Sequence, residues 1–396
     1  MSQRLLSRSP DLKRLRDEGY DLSIKDGHLL VKDVPYANAN REAKRGVLVS
    51  KLDIAINSAG EEVAAQPSTH VAMFEGDLPY GPDGNVYRQY NGAAGVQIGA
   101  LQVQHSFSSK PLRGHYLDYY EKVTTYVAEL SAAAQKIDPS LTAQTYPVVE
   151  LEEDDSVFQY MDTASSRAGI SSITKKLENL KIAIVGLGGT GSYVLDQVAK
   201  TPVREIHLFD GDVFLPHNAF RAPAAPSRDD LKAKPNKVTY LHGIYSRMHR
   251  HIVPHAYPID QNTVGELAGM QFVFLCVDKG AIKELIVGDL EQQRIPFVDV
   301  GMGVYAKNDS LYGVLRVATG TPTSYAVLRQ HARVPFSDGA EDEYSSNIQI
   351  ADLNALNAML AVVKWKKLFG FYGDLEHEHF STYTLDGNTV TNEDAA

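Results

Sequence analysis

The chain has almost no cysteine. Cys276 is the only one among 396 residues, so no disulfide closes within the chain and no CxxC pair exists to hold zinc. Excess positive charge is also missing. The net charge of −10 at pH 7 argues against a nucleic-acid backbone as partner. No apolar run approaches the ~18 residues of a membrane span. The charged start, MSQRLLSRSPDLKRLRDEGY, lacks the apolar centre of a signal peptide. Neither nucleic acid nor membrane is expected, and the cytoplasm is the simplest compartment. Repeats and low-complexity segments are absent, and the length favours two domains.

Residues 1–150 mix short strand-like runs, HLLVKDV (28–34) and GVQIGALQV (95–103), with turn-rich stretches and two helix candidates, PDLKRLRDEGY and 116–137. This reads as an α+β domain. The acidic stretch VVELEEDDSVFQ (148–159) marks a boundary, because like charges resist compaction. Residues 151–170 are expected to be a linker and 171–390 a second domain. SSITKKLENL (171–180) reads as a polar helix. From Lys181 the rhythm is strand, helix, strand: KIAIVG, SYVLDQVAKT, REIHLFDGD, a helix over 234–250, HIVPHAYPI, a short helix VGELAGM, QFVFLCVD, a helix over 281–294, IPFVDVGMG. Such alternation predicts an α/β fold, a Rossmann-like, doubly wound and mostly parallel sheet.

Within the first strand–turn–helix, Gly186, Gly188, Gly189 and Gly191 spell GLGGTG. Glycine allows a tight turn and a close approach of backbone N–H groups to phosphate, and the helix adds the positive end of its dipole. The phosphate is either the pyrophosphate of a dinucleotide or the triphosphate of ATP. Asp210 ends the second strand, where an acid serves ribose hydroxyls in either case.

DGDVFLPHNAFRAP (210–223) discriminates. Asp210, Asp212, Asn218 and Arg221 stand there at intervals that a dehydrogenase does not need. The segment resembles the DxDxxxxxxNxxR signature of the family containing ThiF, MoeB and the ubiquitin-activating enzymes. Lys237 in KPNKV and Asp278 closing FLCVD fit two further positions of that family, and the likeness spans about residues 165–370. It implies ATP-dependent adenylation of the C-terminal carboxylate of a small ubiquitin-like protein. Arg221 and Lys237 would contact phosphates, Asn218 would orient a phosphate or ribose oxygen, and Asp210 would take the ribose. Asp212 would secure the loop or the substrate side, and Asp278 would hold Mg²⁺. Arg167 lies about where the family's arginine reaches the partner subunit's ATP site, which implies a homodimer. From the residues alone, blander readings stay open. Arg221 could be a surface ion-pair partner. Lys237 could be a solvated lysine, with Lys232 and Lys234 as competitors. Asp278 could cap the following helix.

Two departures from the family matter. Ala222 follows Arg221 where a glutamine is common. The region 316–350, where many relatives carry a catalytic cysteine, has none, and Cys276 sits inside an apolar strand, the setting of an ordinary core thiol. The implied chemistry therefore stops at the acyl-adenylate, and a conjugating or sulfur-carrier partner, a small thiol or an amine would finish the transfer. His249, His251, His255, His377 and His379 read as surface or capping groups. Residues 351–372 form an amphipathic helix, which the resemblance packs on the sheet, and 316–350 would admit the substrate's tail.

In architecture the chain resembles bacterial adenylating modules with a domain fused ahead of them, which often accompany ubiquitin-like proteins in conjugation-like operons. The stretch 104–127 resembles a conjugating-enzyme tail, but the domain has no cysteine. Recognition of the modifier or target is expected of it, with stabilisation or dimerisation as the alternative. Two other functions remain: a non-catalytic module that binds ATP and a ubiquitin-like protein, and an NAD-dependent oxidoreductase.

Overall fold

The computed structural model describes residues 2–151, 156–337 and 348–393. The chain divides into two units, Met1–Val149 and Glu150–Ala396.

The first unit opens with helices α1 (Ser2–Arg8) and α2 (Pro10–Asp17). Strands β1 (Leu22–Lys25), β2 (His28–Ala37), β3 (Ala43–Lys51), β6 (Val71–Glu75), β7 (Tyr90–Ile98) and β8 (Leu101–Ser108) form an antiparallel sheet in the order β1-β2-β3-β6-β8-β7. A small hairpin, β4 (Ile54–Ile56) with β5 (Glu62–Ala64), stands apart from it. The run expected as one strand over 95–103 is a hairpin. Gly99, at φ +58°, turns the chain so that Ile98 pairs with Leu101.

Helix α3 (Tyr119–Ile137) is capped by Asp118, which accepts from the Glu121 N–H. Its Tyr119, Val123, Tyr126 and Leu130, spaced three and four apart, pack with Leu29, Val31, Phe74 and Phe107 of the sheet. Lys122 lies on the same buried face, 1% exposed, and donates to Ser50 Oγ and to the Thr69 carbonyl, each at 2.9 Å. Burial pushes this ammonium down to about 8, against a weaker upward pull from Asp53.

In the second unit, α4 (Thr163–Arg167) and α5 (Ser171–Thr174) precede the sheet. Residues 152–155 of the acidic stretch lie outside the described residues. Phe158 just beyond them is buried, and Arg250 N–H and Gln159 N–H bond to Val157 O and Met248 O. The sheet contains β9 (Lys181–Val185), β10 (Glu205–Phe209), β11 (Ile252–His255), β12 (Phe272–Leu275), β13 (Phe297–Lys307), β14 (Ser310–Gly320), β15 (Phe380–Thr384) and β16 (Thr389–Glu393). Its order is β11-β10-β9-β12-β13-β14-β15-β16. The first five strands run parallel and the last three antiparallel, so the fold is the expected α/β with a mostly parallel sheet.

Both faces of the parallel strands are covered, as their unbroken apolar sequences require. Ile182 and Ile184 join one core with α6 (Gly189–Val198), α9 (Lys237–Tyr245) and α12 (Ala351–Leu368), centred on the fully buried Trp365. Ala183 and Val185 face the other, with α10 (Gly280–Gln293) and α11 (Tyr325–Gln330). The remaining short helices are α7 (Pro216–Ala219) and α8 (Arg228–Ala233). Several expected elements are shorter: α9 spans only part of 234–250, α12 ends at Leu368, residues 171–180 make a helical turn and a 3-10 turn, and VGELAGM holds a 3-10 turn. Region 316–350 contains regular structure. It begins in β14 and contains α11, and residues 338–347 lie outside the described ones.

A buried charge cluster ties three of these elements together. Asp299 of β13 is fully buried, 2.8 Å from Lys283 Nζ of α10 and 2.7 Å from Arg316 Nη2 of β14.

The depressed Lys122 predicts a pH signature. Between about 8 and the ordinary 10.5, the folded chain binds fewer protons there than the unfolded one, so stability rises with pH. Below that window the full cost of burying the charge is present. Thermal unfolding of Lys122→Met beside wild type should show wild type gaining on the variant as pH climbs from 8 to 10.5. A pH-independent difference would refute the buried charge.

Candidate active site

The carboxyl ends of β9, β10, β11 and β12 and the middle of β13 converge on a cavity of about 450 Å³. Ligands in open parallel sheets bind at this edge. The turn after β9 is held from both sides: Gly186 N–H bonds to Phe209 O at 2.8 Å and Leu187 N–H to Asp210 Oδ2 at 2.7 Å. Gly186 has φ +88°, and a Cβ there would lie 2.6 Å from Cys276 O. Helix α6 starts at Gly189, earlier than its sequence suggested, and its first N–H groups have no intrahelical acceptor. Gly186, Gly188, Gly189 and Thr190 line the cavity. Gly191 is not among the lining residues. A Cβ on it would sit 1.9 Å from Gly186 O, so this glycine serves the packing of α6 on the turn.

Asp210 is buried and engaged. Besides Leu187 N–H it accepts Asp212 N–H at 2.8 Å, and Lys237 Nζ lies 3.6 Å away. Asp212 is largely exposed and pairs with Lys237 Nζ at 2.6 Å. That hydrogen bond holds the Asp212 carboxyl below the usual carboxylate range. Lys237, at the start of α9, is itself buried, unlike the solvated lysine that the sequence left open.

Asn218 is buried away from the cavity lining. Its Oδ1 accepts Leu215 N–H at 2.8 Å and its backbone carbonyl accepts Arg221 N–H at 3.1 Å, so it shapes the turn that carries Arg221. Arg221 lines the cavity, and its Nε is buried without a partner among the described residues. Asp278 and Lys279 line the mouth, both exposed, just beyond β12. Arg167 ends α4, exposed, and does not line this cavity.

Cys276 also lines it. Burial, and then the Asp299 charge, push its thiol up, so it stays protonated at neutral pH. Among the described residues no group of three or more His, Cys, Asp or Glu is placed to hold a metal ion. His249 is a core residue rather than a surface one: fully buried, within 2.9 Å of Val203 O, and pushed down to about 4 by burial. No described helix is long and apolar enough to cross a membrane.

Sequence reasoning missed the polar face of α12. Asn354 Oδ1 accepts from Thr190 Oγ1 at 3.0 Å, and its Nδ2 donates to Arg221 O at 3.3 Å, so one side chain joins α6 to the arginine loop. Asn357 lines the cavity one turn later. The signal was two asparagines three apart within the apolar stripe of a helix. Lys279 and Asp260, also on the cavity wall, carried no signal.

A model of the ThiF family matches residues 158–366, more than half of the chain. The chain belongs to the ThiF family. Residues 10–163 match a model described as a domain of unknown function, DUF6791. No curated protein matches. Among solved structures similar to this ThiF-family chain, PaaA is 19% identical, with 57% of this chain and 76% of PaaA covered and a TM-score of 0.44. MccB from E. coli with ATP is 17% identical, with coverages of 57% and 66% and a TM-score of 0.43. The microcin C7 biosynthetic enzyme MccB in complex with N-formylated MccA is 18% identical, with coverages of 59% and 70% and a TM-score of 0.46. At these values they add nothing to the assignment. ThiF-family membership supports adenylating activity in general.

The glycine geometry predicts unequal costs at neighbouring positions. Gly191→Ala should lower stability by about 1–3 kcal/mol or more through overpacking. Gly188→Ala, where a Cβ meets nothing within 4 Å, should cost much less. Chemical denaturation of both variants checks this, and equal costs would contradict the close contact.

Proposed function

We propose that the protein adenylates the C-terminal carboxylate of a ubiquitin-like protein ending in glycine. The observation that carries this reading is Arg221, whose buried Nε has no partner among the described residues, on a cavity that also includes the start of α6. An unsatisfied buried guanidinium donor is costly and suits an anion. In the reaction, a carboxylate oxygen attacks the α-phosphorus of ATP, the bond to the β-phosphate oxygen breaks, and pyrophosphate leaves. Both reactants are negative, so the site must neutralise charge and hold the attack in line.

The turn from Gly186 to Gly189 and the first N–H groups of α6 take the phosphates, with Arg221 beside them. Lys237 exchanges its contact with Asp212 for a phosphate oxygen. Asp210, with Lys237 and the turn already on its oxygens, sets the ribose side. Asn218 positions Arg221. Mg²⁺ takes one or two carboxylates together with phosphate oxygens and water, a requirement that Asp278, which lines the cavity as Asp212 does, would fit. When bound, the ion neutralises phosphate charge. Arg167 acts in the partner subunit of a homodimer. Residues 1–150 recognise the modifier or its target, and a separate cytoplasmic thiol or amine consumes the acyl-adenylate.

Calorimetric titration with Mg²⁺-ATP, and separately with NAD, tests this. ATP should bind. Arg221→Ala should weaken it about ten- to a hundredfold, the worth of a charge-assisted contact. Asp278→Ala should remove the dependence on Mg²⁺. Binding of NAD with both substitutions silent would reject the reading. ATP binding without pyrophosphate exchange on any glycine-terminated ubiquitin-like protein would leave a binding module.

A further inference from the structure

The cavity has two sides, divided by the turn after β9. On one side lie the ends of β10 and β11, with Asp210, Asp212 and Asp260. On the other lie the end of β12, the stretch Val300–Met302 of β13, and Asn357 from α12. With the ribose on the Asp210 side, as proposed above, the second side is left for the acyl group. Its wall is largely apolar: Val277, Ile282, Val300 and Met302, with the protonated Cys276.

Asp278, Lys279 and Gln349 also line the cavity, and Asn357 differs from them in being fully buried. Its Nδ2 donates to Gly301 O at 3.0 Å, and its Oδ1 has no partner among the described residues. The contact with a carbonyl fixes which end of the amide is nitrogen, since only the NH₂ can donate. What remains is a buried carbonyl oxygen without a donor among the described residues. A neutral N–H satisfies it.

We propose that Asn357 is a specificity-determining residue of the acyl side: its Oδ1 accepts the amide N–H of the substrate's last residue. This rests on the adenylation reading. In a peptide that nitrogen is separated from the carboxyl carbon by the α-carbon alone, so holding it also aims the carboxylate at the phosphate. The protein then takes a peptide-terminal carboxylate in preference to an acid without that N–H, and it rejects a terminal proline.

The test uses the full chain and three non-reacting probes, measured by calorimetry. They are 5′-sulfamoyladenosine, its N-acetylglycyl derivative, and the matching ester in which oxygen replaces the glycyl N–H. Wild type should bind the amide about tenfold more tightly than the ester, the worth of one hydrogen bond and its lost partner. In Asn357→Leu the ratio should fall to one while sulfamoyladenosine still binds, which also reports that the variant is folded. Should the variant not fold, the wild-type ratio decides alone. Equal affinities in wild type, or a ratio that persists in the variant, would overturn the role of Asn357 and leave the nucleotide site standing. Failure of sulfamoyladenosine itself to bind wild type would remove both.

Discussion

The second unit depends on two side chains that are not there. Hydrogen atoms at Gly186 and Gly191 let α6 seat on the end of β9, with the Gly186 carbonyl and the Cα of Gly191 nearly in contact. Any larger residue would lift the helix and part the turn from Cys276, whose carbonyl passes on its other side. Three strand ends thus meet at one point, and the start of a helix is brought to it.

Around that point, Asp210 and Lys237 are each fixed by neighbours from other elements. Asp210 staples two turns through their N–H groups. Lys237 is held between two acids of the preceding loop. Asn354, from a helix more than a hundred residues later, ties α6 to the arginine loop. Asp299 fixes α10 through Lys283, so the stretch carrying Asp278 and Lys279 is anchored one turn away. Breaking one member of such a buried cluster typically costs about 3–5 kcal/mol. The cavity is therefore rigid at its base and open at Asp212, Asp278 and Lys279.

What the sequence disclosed follows the range of the interactions. The turn after β9 is local: glycine spacing, an apolar strand before and a helix after are all within twenty residues, and Gly186, Gly188, Gly189, Asp210, Asp212, Arg221, Lys237 and Asp278 do gather on one cavity. The antiparallel strands β14 to β16 escaped, because Gly313 interrupts the first and polar residues fill the last. The hairpin at Gly99 escaped because two β-rich runs abut without a polar gap. Gly191 and Asn218 read as ligand contacts because spacing shows proximity to a site but not which atom a side chain turns to. Asn354 and Asn357 were hidden because a buried asparagine in a helix has meaning only through partners on other elements.

Lys122 carries a consequence for chemistry in the first unit. An ammonium that releases its proton near pH 8 leaves more free amine at neutral pH than a surface lysine does, so its intrinsic nucleophilicity is available early. Its nitrogen is nevertheless sealed between α3 and the sheet, held by Ser50 and Thr69. Acylating reagents thus reach it only when that helix lifts. The rate of labelling at this one amine becomes a clock for the opening of the α3 interface, on a timescale that static packing does not display.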